Sequence, residues 1–261
     1  MRKGLLGSLL AFALVLSFSL LASAQTKQAA EPAKAPPSSQ PPDLSGVWMR
    51  DAPPATGTQY WVMKFNLEDP PMTAWGQEQF KAHKSSFGDH PYGLEETNDP
   101  VLRGCFPPGV PRVYLHPFPF QFVQASDEVV MLFEVDSLRR QIYTDGRQHD
   151  KALVPLWMGD SIGHWEGDTL VVDTINFNDK TWIDRVGHPH SEALHVVERF
   201  RRTAHDHLVD DVTIEDAKAY TKPWTTHLEF KLQPTWRLTE QFCEDYASFE
   251  SLEQKETAPA K

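Results

Sequence analysis

The chain has 261 residues, with 36 acidic side chains against 25 basic ones and a formal charge of −11 when histidine is neutral. An acidic balance of this size argues against nucleic acid and against anionic membrane surfaces as partners. The length suits one domain of the larger all-β kind once both ends are set aside.

Met1-Arg2-Lys3 is a short positive opening. The apolar run over 5–21 that follows is broken only by Gly7, Ser8, Ser17 and Ser19, and Ala22-Ser23-Ala24 is the small-residue pattern that signal peptidase reads. Residues 1–24 therefore read as a cleaved signal peptide, with the mature chain starting at Gln25. A retained membrane anchor is the competing reading and needs about 20 clearly apolar residues. No cysteine sits at the cleavage point to take a lipid, and no later stretch is long or apolar enough to span a bilayer as a helix. The expected location is periplasmic or secreted. Residues 25–42, with five prolines among Ala, Ser, Lys and Gln, read as a disordered linker. Residues 247–261 read as a polar tail, which leaves 43–246 as the folded domain. Cys105 and Cys243 are the two cysteines, and in an oxidising compartment an even pair is most simply a disulfide. It would close a long loop and contribute about 3–5 kcal/mol in the chain-entropy model.

The domain opens at Asp43-Leu44-Ser45-Gly46-Val47-Trp48, a short strand, and 60–66 is a second alternating stretch. Residues 73–84 read as the one good helix, capped by Thr73. The stretch over 85–119 is too rich in Gly and Pro for long regular structure and reads as a functional lid or a packed surface loop. Strand-like runs then follow over 120–124, 129–135, 139–144, 161–165, 169–175, 194–202, 208–214, 226–232 and 237–242. Turn chemistry joins them at Asp145-Gly146, Glu166-Gly167-Asp168 and Ala204-His205-Asp206. The expected fold is mainly β: an antiparallel meander closed or curled into a barrel, which removes exposed edges. A two-sheet sandwich is the alternative.

Three strands carry a carboxylate on the face that should be apolar: Glu198 beside Val196 and Phe200, Asp210 beside Leu208 and Val212, Glu240 beside Leu238 and Phe242. Buried carboxylates are costly unless paired. Pairing with Arg139, Arg140, Arg199 or Arg237 would make them structural. A partly polar lumen would instead make them ligand-binding, with Trp165, Trp182, Trp224 and Trp236 as candidate walls. Tyr143, Asp145 and Arg147 form a hairpin corner that leaves Arg147 able to meet an anion.

The segment Thr181-Trp182-Ile183-Asp184-Arg185-Val186-Gly187-His188-Pro189-His190-Ser191-Glu192-Ala193-Leu194-His195 stands apart from the strands. Pro189 biases His188 towards extended backbone, so His188 and His190 can share a face. With His195 or His164 they would make a three-histidine site for zinc or another divalent transition metal. Asp184 or Glu192 would be a ligand or would accept a ring N–H. A metal-free site with His190 or His195 as base and Asp184 as orienter is the alternative, and with eleven histidines in the chain a rigid structural turn is another. Ser191, His195 and Asp184 can be drawn as a triad, but no nucleophile-elbow glycines flank Ser191. Phosphate-cradling, dinucleotide and EF-hand patterns are missing.

The ordered blocks Asp43-Leu-Ser-Gly-Val-Trp48, Tyr143-Thr-Asp-Gly-Arg147, Gly163-His-Trp-Glu-Gly-Asp-Thr-Leu-Val-Val172, Trp182-Ile-Asp184, Pro189-His-Ser191, Leu194-His-Val196, Glu198-Arg-Phe200 and Tyr220-Thr-Lys-Pro-Trp224 resemble a large family of exported bacterial proteins of unassigned function. The resemblance spans about 43–245 and implies export and a shared fold without naming a substrate. It also implies that the position of His188 varies, which favours a site on His190, His195 and Asp184. The opening Gly-x-Trp is similar to the first-strand signature of lipocalin-type barrels. The leading expectation is an exported, lipocalin-like barrel that binds a small organic ligand. A hydrolase or lyase acting on a sugar or other small molecule through the His/Asp site is the runner-up, and an envelope scaffold the third.

Overall fold

The computed structural model describes residues 41–51, 63–88, 90–150 and 152–243. The expected signal peptide, most of the linker, the tail and the first part of the 60–66 stretch lie outside the described residues. The described part of that stretch, 63–66, is turn and bend.

Nine strands form one closed barrel in sequence order: β1 (Gly46–Arg50), β2 (Phe120–Gln124), β3 (Glu128–Phe133), β4 (Arg139–Tyr143), β5 (Asp160–Glu166), β6 (Thr169–Ile175), β7 (His195–Ala204), β8 (His207–Glu215) and β9 (Trp224–Leu232). β1 closes the barrel by pairing antiparallel with both β2 and β9. The fold is therefore the expected mainly-β barrel, with one departure from the meander. A ring with an odd number of strands cannot alternate direction all the way round, so at least one neighbouring pair must be parallel. That pair is β4 and β5, with Ile142 opposite Ser161. Parallel strands need a long crossover, and the segment over 144–159 supplies it. Asp145-Gly146 thus begins a crossover and not a hairpin. The expected strand over 237–242 is not formed either. Pro234 removes a ladder donor, Trp236 N–H turns back to the Gln233 carbonyl, and only Gln241 bridges to Val135.

Side chains alternate between the two faces of each strand. Phe120 and Phe122, Val129, Met131 and Phe133, Val196 and Phe200, Leu208, Val212 and Ile214, and Leu228 and Phe230 are all buried. Each such side chain is worth about 1.5–3 kcal/mol relative to exposure. The long segment before β2 is exposed over 91–96 and 103–106 and turns inward over 108–116. It holds α2 (Pro100–Gly104) and a 3₁₀ turn, Arg112–Leu115, whose side chains are all buried. Tyr114 enters the barrel, with its ring against Phe120, Phe133, Phe200 and Phe230.

The helix α1 (Ala74–Ala82) begins where expected, with the Thr73 hydroxyl accepting the Gly76 amide at 3.1 Å. It docks through Gly76, whose missing Cβ leaves room for the Ala219 carbonyl. Cys105 and Cys243 are disulfide-bonded, with their Cα atoms 5.5 Å apart. The bridge ties α2 to the end of the segment that follows β9. No helix among the described residues is long and apolar enough to cross a membrane.

Candidate functional site

Inside the barrel, Arg140, Glu198 and Tyr114 form one polar network. Arg140 donates through Nη1 to Glu198 Oε1 at 2.9 Å, through Nη2 to Glu198 Oε2 and to Thr174 Oγ1, and through Nε to Ser161 Oγ. Tyr114 donates its phenol proton to Glu198 Oε1 at 2.7 Å. Burial works against the Arg140 charge, but Glu198 more than offsets it and holds the guanidinium above its usual range. Burial, reinforced by the Glu198 charge, pushes Asp210 well above the carboxylate range. Its Oδ1 accepts the Arg199 amide at 3.0 Å, while its buried Oδ2 has no hydrogen-bond partner among the described residues. The aromatic packing around Tyr114 fills the lumen around this network.

The other expected residues are spread over the surface. Trp165 is half-buried on β5. Arg147 grips Asp145 at 2.6–3.0 Å and lies 3.7 Å over the Tyr143 ring, so the corner is satisfied within itself. Trp236 is half exposed, and Trp224 is buried next to Tyr220. Glu240 is exposed outside any strand, because the strand expected to turn it inward does not form. His164 is exposed and meets Glu166.

The three histidines of the expected metal site are held on separate sets of partners. His188 is buried, with Nδ1 2.5 Å from Asp184 Oδ2 and its ring stacked on Phe80 of α1. Asp184 Oδ1 accepts the backbone N–H groups of Val186, Gly187 and His188, so Asp184 orients His188 and neither His190 nor His195. Burial pushes the His188 pKa down, but Asp184 and then Asp69 outweigh it and bring the value to about 9. His190 is also buried. Its Nδ1 donates to the Ser191 carbonyl, and its Nε2 therefore accepts from Thr181 Oγ1 at 2.9 Å. His195 lies on the outer face of β7, between Asp173 at 3.0 Å and Glu215 at 3.3 Å. Asp173 also meets His149, whose other nitrogen is 2.8 Å from Asp160.

A cleft of about 290 Å³ opens beside His190, lined by Trp75, Gln79 and His83 of α1 and its cap, Asn98 and Pro100, and the run from Asp179 to Trp182 with Pro189. Two buried carboxylates fix its walls. Asp216 accepts from Ser191 N at 2.6 Å, Ser191 Oγ at 3.0 Å, and the amides of Lys218 and Ala219 against which α1 docks. Asp99 caps α2 and pairs with the buried Arg112 at 2.5 Å, while Arg112 sits over the Trp182 ring.

His83 is the residue that sequence reasoning missed. It ends α1, stacks on Trp182 at 4.5 Å, and places Nδ1 2.6 Å from the Gly187 carbonyl. A carbonyl only accepts, so Nδ1 carries the proton and the neutral ring keeps its Nε2 lone pair. Burial lowers the pKas of both His83 and His190, which favours these neutral forms. Both nitrogens of His190 are engaged, whereas for His83 the hydrogen bond among the described residues is made by Nδ1. The sequence signal available for His83 was a weak one, an imidazole at the end of the only long helix.

A second hollow of about 460 Å³ lies over Arg199, Asp211, Thr213, Thr225 and His227, without an aromatic wall. No family model matches the chain, and neither the curated proteins nor the solved structures give a match.

Proposed function

We propose that this is an exported ligand-binding barrel whose site is the lateral cleft and not the lumen, and that it takes a small polar ring compound such as a sugar. The observation that carries this is the lining. Trp75 and the edge of the buried Trp182 line the cleft, and Gln79, Asn98, Asp179, Lys180 and His83 are donors and acceptors around them. Few, convergent polar groups against aromatic surface are what small-molecule sites use to fix orientation. The lumen favours a structural role for Glu198, because its carboxylate is already engaged by Arg140 and Tyr114, and the phenylalanines around Tyr114 fill the space beside Asp210. Export is supported by the disulfide and by the leader-like first residues.

The test is calorimetry of the mature protein against a panel of mono- and disaccharides, repeated with Trp75→Ala and Gln79→Ala. Binding lost in both variants, with the barrel's circular dichroism unchanged, supports the reading. Binding that survives both variants but fails in a lumen variant refutes it.

One observation favours a second reading, as an acid–base enzyme at the same cleft. His83 is fixed in the tautomer that leaves Nε2 free to accept a proton. Catalysis there predicts that His83→Gln abolishes turnover while leaving ligand affinity nearly intact.

A further inference from the structure

We propose that Asp51, His207 and Glu229 form a zinc site on the outer face of the barrel, across the seam where the ring closes. The three come from different strands. The Asp51 amide donates to the Glu229 carbonyl at 2.8 Å, one step beyond the paired Arg50 and Phe230, so the two carboxylates stand across the β1–β9 seam from one another. His207 opens β8 opposite Lys231, one pleat repeat from Glu229 on the same face. One donor atom from each residue lies within 4.8 Å of the other two, and among the described residues this is the one group of His, Cys, Asp or Glu that converges so closely.

Two further observations point to a cation. Like charges directly opposite on neighbouring strands repel, and Lys231, on the same face, pairs with neither carboxylate among the recorded ion pairs. The spacing is also compatible with a shared metal ion. His207 Nε2 is 3.4 Å from Glu229 Oε2, beyond the range of about 2.7–3.2 Å for N–H···O. Ligand atoms about 2.0–2.1 Å from zinc at tetrahedral angles lie about 3.3–3.4 Å apart.

A second imidazole lies beside Glu229. His227 Nδ1 is 2.6 Å from Asp211 Oδ1, which directs His227 Nε2 towards Glu229 Oε1 at 3.4 Å. One imidazole with two carboxylates suits zinc better than calcium, which takes six to eight oxygen ligands. Water would complete the fourth position. Bound there, the ion would clamp β1 to β8 and β9 and stabilise closure of the ring.

The experiment is zinc titration by calorimetry of the tag-free, chelator-stripped mature protein, beside His207→Ala, Glu229→Gln and His164→Ala. All three substitutions fall outside the core, and circular dichroism checks their fold. One equivalent of zinc is expected in the wild type and in His164→Ala. The other two variants should bind at least about tenfold more weakly. Zinc should raise the thermal midpoint of the wild type and leave that of His207→Ala unmoved. No stoichiometric zinc, zinc bound equally by the wild type and His207→Ala, or calcium bound as tightly as zinc would each overturn the proposal.

Discussion

Replacing Arg140 by Met would leave Glu198 buried with only the Tyr114 phenol as partner. The side chains of Arg140 and Glu198 are 1% and 0% exposed, so no solvent can take over. Arg140 also donates to Ser161 and Thr174, but those hydroxyls bond each other at 3.1 Å and remain satisfied. The cost is therefore that of an orphaned buried charge, about 3–5 kcal/mol. Glu198→Leu alone orphans the guanidinium and should cost a similar amount. The double variant removes both charges and leaves the Tyr114 phenol with the weak Met131 sulfur acceptor at 3.7 Å, a penalty of about 1–3 kcal/mol at most. The double variant should thus be more stable than either single, with a coupling energy above about 3 kcal/mol. Urea unfolding followed by tryptophan fluorescence, with the disulfide intact, measures all three. If the double variant costs the sum of the singles, the lumen network does not hold the barrel in the way described.

Three further outcomes follow from particular contacts. His188 has a folded pKa of about 9 against an ordinary 6.5, because Asp184 and Asp69 outweigh burial. Its contribution is complete below pH 6.5 and lost as pH rises through 9, on the order of 3 kcal/mol in all. Denaturation midpoints from pH 6 to 10 should fall in the wild type and stay level in His188→Gln, and equal slopes would remove this account. Gly76→Ala pushes a methyl into the Ala219 carbonyl. It should cost about 1–3 kcal/mol and shift α1, detected as a change in the fluorescence of Trp75 and Trp182. Reducing the bridge frees residues separated by 138 positions. It should lower stability by up to about 5 kcal/mol in the chain-entropy model, and Cys243→Ser should reproduce the loss.

Strand periodicity was legible wherever one face meets the core. The runs at β2, β3, β7 and β9 have two clean faces, and the Thr73 cap marks the start of α1. The misplaced strand over 237–242 shows the limit of that signal. Its alternation of Trp236, Leu238 and Phe242 with polar residues has the right period, but the barrel closes through β1 and β9 and leaves no edge for another strand. The parallel β4–β5 pair was also hidden, since the local sequence at Asp145-Gly146 favours a turn and strand parity belongs to the whole ring.

The candidate site was less legible for a related reason. His188, His190 and Asp184 are close in sequence, but each is fixed by a partner far along the chain or by backbone: Phe80 stacks on His188, and Asp216 holds Ser191. Side-chain spacing in an irregular segment carries no period, so it could not show that Pro189 separates His188 from His190 on two sets of partners. His83 enters the site through the docking of α1 on Ala219, a contact between positions more than a hundred residues apart.

The way the barrel is filled explains why the cleft lies outside it. A ring of nine strands is wide enough to need packing, and this chain fills it with phenylalanines from its own strands and with Tyr114 from the segment before β2. Sending that segment inward fixes its neighbours at the barrel's end: Arg112, two positions before Tyr114, carries Asp99 and lies over Trp182. α1 and the histidine segment then pack on this fixed base and leave the cleft between them. The strands therefore supply rigidity and the connections supply chemistry. On this account, substitutions in the lumen should change stability before ligand affinity, while those at Trp75, His83 or Gln79 should do the reverse.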